Sequence, residues 1–93
     1  MKSIMQADDE LCYLCRMALA THEHHIFPGD PNRRHSEEDG LKVKICLKCH
    51  DKIHFSPRDG GKTKEFLCKA GQGKYEETHT REEFMKRYGR NWL

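Results

Sequence analysis

The stretch HEHHIFPGDPNRRHSEEDGLKVKICLKCHDKIH, His22–His54, decides how this chain is read. It holds six of the seven histidines, and its pair Cys46 and Cys49 answers a second pair just upstream, Cys12 and Cys15. Cysteine and histidine at this density are seldom packing residues in so polar a chain. Ninety-three residues make one small domain, 1–93, whose core is marginal unless something staples it. Hydrophobic residues make up 35% and charged residues 34%, against about 45–50% and about 25% in ordinary globular domains. A metal is the staple that these residues suggest.

The cysteines follow C-x2-C, thirty residues, C-x2-C. Four thiolates in two tight turns suit tetrahedral Zn²⁺, which prefers sulfur and has no redox chemistry of its own. A disulfide scaffold is the competing use of cysteine. Against it, the count of five is odd, and Met1–Glu10 lacks the apolar segment of a signal peptide. Paired C-x-x-C spacing points instead to zinc in a reducing compartment, so the expected location is the cytoplasm. No apolar run is long enough to span a membrane. Cys68 has no partner of this kind and reads as a small apolar residue on a helix.

A net charge of +2 is too small to argue a nucleic-acid partner by itself. Its distribution says more. Asp8, Asp9 and Glu10 make the N-terminal stretch acidic, whereas Arg33, Arg34, Lys42, Lys44, Lys48 and Lys52 gather around the histidines, which would suit a phosphate backbone and equally a solvated charged face.

Coarse structure follows from pattern. Met1–Glu10 has no period and is expected to fray or lie over the surface. A strand is expected around Thr21–Phe27, then a turn at Pro28–Pro31. Ser36-Glu-Glu-Asp39 resembles a capping box that opens one helical turn, stopped at Gly40. Leu41–Ile45 alternates with period two, the pattern of a half-buried strand, and a helix should run from the second knuckle to about Phe55. Ser56–Gly61 reads as a loop. Lys62–Ala70 suits a short helix burying Phe66, Leu67 and Ala70, ended by Gly71 or Gly73. Thr80-Arg-Glu-Glu83 is a second capping box, opening a helix with Phe84 and Tyr88 one turn apart and Gly89 as its stop. Trp92 and Leu93 should fold back on the core. The fold class expected is a small α+β domain with a core at about 12–55 and a helical extension at about 62–93.

Four histidines hold suggestive places. His24 and His25 are neighbours on a strand and should point to opposite faces. His50 and His54 are spaced i, i+4 on a helix and share one face. Cys49 would pin that helix one residue before His50.

At this point the sequence resembles the HNH endonucleases, whose core is the ββα-metal (His-Me finger) fold. The matching residues are His24-His25-Ile26, Asn32, and Leu41 through Cys46-x-x-Cys49-His50-x3-His54. The resemblance covers roughly residues 12–54, and the segments beyond look like those of small phage-encoded members. It implies a DNA endonuclease in which His24, His50 and His54 hold a catalytic divalent ion and His25 activates water. It also implies that Asn32 orients that base or braces its loop, with Cys12, Cys15, Cys46 and Cys49 holding a structural zinc. Many members carry Asp where this chain has His24. Three imidazoles make a softer site, favouring Mn²⁺, Ni²⁺, Co²⁺ or Zn²⁺ over Mg²⁺. Arg33, Arg34 and Lys52 would hold flanking phosphates, and the expected products are 5′-phosphate and 3′-hydroxyl ends.

DNA is the expected partner, with a phage packaging or recombination assembly as a further one, in the cytoplasm of the host cell. His22, His35 and His79 read as solvent-facing or supporting residues, and Glu23 as a charged strand residue. The alternative is a zinc-binding module that contacts DNA or protein without catalysis. It accounts for the cysteines and leaves the four histidines without a purpose.

Overall fold

β1 (His22–His25) and β2 (Lys42–Ile45) pair antiparallel, with His22 opposite Ile45 and His25 opposite Lys42. This computed structural model describes residues 2–6 and 10–93, and of Pro57 the backbone alone. The hairpin arises where its alternation predicts. Val43 and Ile45 turn fully inward while Lys44 faces out. Pairing continues past both strands, from Thr21 N–H to Ile45 O and from Ile26 N–H to Leu41 O, each 3.0 Å.

α1 (Asn32–Asp39) fills the connection between the strands. The capping-box reading of Ser36 is wrong: the helix opens four residues earlier, and Ser36 lies buried inside it. Its hydroxyl serves the chain leaving β1 instead, accepting from Phe27 N–H and donating to Phe27 O, both at 3.2 Å. The bond holds α1 against the hairpin. Gly40 ends the helix as expected, at φ 72° in the left-handed region.

α2 (Leu47–Phe55) begins directly after Cys46. The largest departure follows. Ser56–Gly61 is not a loop, and Gly71 and Gly73 end nothing: α3 (Pro57–Tyr75) runs through all of them for 19 residues. Ser56 alone separates the two helices, and its hydroxyl accepts from Asp59 N–H at 3.2 Å, with Pro57 in the first turn. The extension therefore starts at 57 rather than 62. Leu67 and Cys68 face inward, whereas Phe66, expected inside, is 58% exposed.

α4 (Arg81–Tyr88) has the reciprocal capping box: Thr80 Oγ1 accepts from Glu83 N–H, and Glu83 Oε1 accepts from Thr80 N–H. Phe84 and Tyr88 are buried and stack at 4.9 Å, with Phe27 against Tyr88 at 4.6 Å. Asp39 Oδ2 receives both Arg87 Nε and Tyr88 OH at 2.6 Å, which fastens α4 to α1. Trp92 packs half-buried on the core, but Leu93 remains 51% exposed.

The expectation for Met1–Glu10, and the acidic Asp8 and Asp9, fall partly or wholly on residues 1 and 7–9, outside the described residues. Of the rest, Ile4 donates its N–H to Gly40 O at 2.9 Å and packs with Met5 against the core. Among the described residues no helix is long and apolar enough to cross a membrane.

Candidate functional site

The first knuckle is a tight turn in which Arg16 N–H closes on Cys12 O at 3.0 Å, with Arg16 itself at φ 60°. Tyr13 N–H donates to Lys44 O at 2.9 Å and so docks this turn onto β2. Cys46 follows β2 immediately and caps α2, placing Cys49 in the first turn of that helix. All four sulfurs lie within 4.8 Å of one another, Cys15 to Cys46 at 3.9 Å. A tetrahedral zinc with Zn–S bonds of about 2.3 Å sets its sulfurs about 3.8 Å apart. The set can hold a zinc ion.

Its electrostatics fit the same group. Burial opposes a thiolate at Cys12, but the backbone N–H groups of Cys15, Cys46 and Leu14 outweigh it and bring the thiol down to about 6. Backbone N–H donation, first from Met17, also lowers Cys15. Cys49 is pushed up to about 12 by burial and by the neighbouring sulfurs. One thiol is ready to ionise, and the last resists because negative charge accumulates in a small space. A dication in the centre reverses that repulsion.

Histidines hang from the same knuckle. His50 and His54 stand one turn apart on α2 with ring centroids 4.4 Å apart. β1 brings His24 to 6.1 Å from His54, and His22 stacks on His50 at 4.6 Å. Burial first, then the neighbouring imidazoles of His54 and His50, lower His24 to about 4. Burial and His54 also lower His50. Both are therefore neutral near pH 7, with lone pairs free for a metal or a proton. His24, His50 and His54 share one side of the hairpin. Their nitrogens are not among the sets of three lying within 4.8 Å of one another in the described residues.

His25 looks the other way. Its Nε2 lies 3.4 Å from Glu37 Oε2, and Lys42 Nζ holds that same oxygen at 2.6 Å and Glu23 Oε2 at 3.5 Å. Glu23, His25 and Glu37 thus also bring ligand atoms within 4.8 Å, with the Lys42 ammonium already serving as their cation. Lys42 does not belong to the phosphate-facing cluster expected of it. It is 8% exposed and committed to two carboxylates. Arg33 and Arg34 are exposed and line an open hollow of about 430 Å³ with His25, Asp30 and Glu37.

Asn32 is the first residue of α1, and its amide donates to Tyr88 O at 3.2 Å. It braces the loop against α4; no hydrogen bond links it to His25 among the described residues. Lys52 is exposed on α2, two residues from both His50 and His54 and so about 200° around the helix from each.

Sequence reasoning missed Glu37 and Lys42 as the surroundings of His25, and His22 as a neighbour of His50. A register drawn across the hairpin signals the Lys42 contact, since His25 and Lys42 are directly opposed. Glu37 required knowing that α1 opens at Asn32. Comparison with family models, with curated proteins and with solved structures finds no match.

Proposed function

We propose that this chain is a metal-dependent endonuclease of the HNH type, hydrolysing DNA phosphodiester bonds, with β1, β2 and α2 as its ββα-metal core. One observation carries the reading. A neutral imidazole on β1, His24, meets an i, i+4 imidazole pair on α2, and the four-cysteine set fixes the start of α2 one residue before that pair. A binding module has no use for such a cluster.

In this reading zinc would sit on Cys12, Cys15, Cys46 and Cys49, and His24, His50 and His54 would hold a second divalent ion, which would supply charge stabilisation to the phosphate and the leaving 3′ oxygen. His25 would take the proton from the attacking water, which requires the strand to cross the end of β1 so that one phosphate meets both His24 and His25. Glu37 orients the His25 ring, and Lys42 keeps Glu37 ionised: its hydrogen bond holds that carboxyl below the usual range. Arg33 and Arg34, on the same side as His25, hold the strand by its phosphates.

The zinc-module reading has one observation in its favour: the thiols stand at ligand spacing and the three imidazoles do not. Plasmid cleavage across a series of divalent metals separates the two. The wild-type protein should cut with Mn²⁺ or Ni²⁺, and His25→Ala should lose about 10²–10⁴ in rate while keeping its metals. One tightly held zinc per chain, with no cleavage under any metal, decides for the module.

A further inference from the structure

The histidine cluster shares a wall with a cleft of about 380 Å³, lined by His24 and His54 on one side and by Arg90 and Trp92 on the other. That volume lies near the lower end of ligand pockets, which run from about 300 to 1,000 Å³. Its floor is largely apolar: Ile26, Phe27, Cys68 and Tyr88 are each 5% exposed or less. Burial pushes the Cys68 thiol up to about 11, so the floor carries no charge there at neutral pH. The rim carries two exposed cations, Lys64 and Arg90.

The far wall is built rather than draped. Gln72 is fully buried within α3, and its amide is spent on residues 91 and 92 and on Glu76. Nε2 donates to Asn91 Oδ1 at 2.8 Å and to Glu76 Oε2 at 2.7 Å, while Oε1 accepts from Trp92 N–H at 2.6 Å. Trp92 is thereby set at the mouth, with the Arg90 guanidinium 3.8 Å over its ring. A guanidinium this close over an indole keeps a face toward the cleft, and guanidinium planes stack on nucleobases. Asn32 donates its amide N–H to Tyr88 O, and among the described residues its Oδ1 accepts no hydrogen bond, so it can meet the edge of a base.

We infer that this cleft is a base-binding subsite, taking one unpaired nucleobase of a DNA strand whose backbone passes His24 and His54. An apolar floor receives the ring, Arg90 stacks on it, and Lys64 meets a flanking phosphate. A base paired within a duplex cannot enter without leaving its stack, so the preferred substrate is single-stranded or locally unpaired DNA. The inference rests on the nuclease reading for the identity of the strand, and on the cleft alone for the base.

Trp92 is the single tryptophan of the chain, so its fluorescence reports the cleft directly. The zinc-loaded His25→Ala protein, without added divalent ion, is titrated with decathymidylate and with an all-abasic strand of the same length and charge. Decathymidylate should quench Trp92 and bind about 5- to 100-fold more tightly than the abasic strand, the usual worth of one stacked base. Arg90→Gln should erase most of that difference, and Lys64→Gln should weaken both strands alike. Because both side chains are exposed, neither variant threatens the fold. Equal affinity for the two strands, or an undiminished preference in Arg90→Gln, overturns the inference. Plasmid cleavage by the wild-type chain with base-independent binding sinks the cleft alone. Base-dependent quenching in a chain that cuts nothing sinks the nuclease reading alone.

Discussion

His24 and His25 differ by one position and occupy different chemical surroundings. Strand alternation sends His24 toward α2 and its imidazoles, and sends His25 toward α1 and a carboxylate. That divergence was legible, because period two is geometry and needs no tertiary knowledge. What each residue meets was not, since Glu37 and Lys42 reach His25 only through helix placement and register. The trio makes a pH prediction whose sign can be worked out. The Lys42 hydrogen bond lowers Glu37, so Glu37 contributes stability that is present above its unfolded value near 4.5 and lost as pH falls through the lowered one. The Glu37 bond raises Lys42, whose contribution is present below 10.5 and lost as pH rises through the raised value. Lys42→Met removes both contributions. The gap in melting temperature between wild type and variant should therefore be largest near neutral pH, and shrink as pH falls from 4.5 toward the lowered Glu37 value and as it rises from 10.5 toward the raised Lys42 value. A gap independent of pH would show that Lys42 acts by packing alone.

At the scale of elements, α2, β2 and α4 were legible because local signals and tertiary packing agree in them. Thr80, Glu83, Phe84, Tyr88 and Gly89 all announce the same helix. In α3 they disagree. Gly60, Gly61, Gly71 and Gly73 read as breakers by propensity, yet two of them are where the helix approaches its neighbours closely. A Cβ on Gly60 would lie 2.5 Å from Ile53 O, the backbone of α2, and one on Gly71 would lie 3.1 Å from Ile26 Cγ2. Gly73 would meet nothing within 4 Å. The two kinds of glycine should respond oppositely to alanine. Gly60→Ala forces backbone apart at the α2–α3 corner and should destabilise by about 1–3 kcal/mol. Gly73→Ala gains helix propensity and should stabilise by about 0.5–1 kcal/mol. Denaturant midpoints measure both, and a Gly60→Ala protein as stable as wild type would mean that the corner has slack. The same corner holds the end of α2 that carries His54.

For the whole molecule, the radius of gyration is 12.8 Å, close to the roughly 12 Å of an ordinary domain of this length. That compactness rests on little apolar material. Thirteen hydrophobic side chains are buried among the described residues, and three of them are cysteines. Two of the three, Cys12 and Cys46, belong to the four-thiol set. The same sulfurs therefore belong to the core and stand where a zinc ion could clamp them, which is why cysteine spacing was informative in a sequence poor in hydrophobic residues. A zinc on this set would join the turn at residues 12–15 to the β2–α2 junction, and so hold the start of α2 and the His50 and His54 that follow it. Structural zinc contributes about 10 kcal/mol or more in small domains, as much as the whole stability of a typical fold, about 5–15 kcal/mol. Removing it should cost the fold, not trim it. Cys46→Ser, or chelation strong enough to strip the thiolates, should abolish the cooperative thermal transition, and restored Zn²⁺ should recover it in the chelated wild type. On the proposed nuclease reading His50→Ala should behave differently: it should keep one zinc per chain and a cooperative melt, and lose only a weaker, exchangeable ion. Metal content and melting curves on the same samples distinguish the two. A Cys46→Ser protein that melts like its parent would mean that the thirteen buried side chains suffice without the ion.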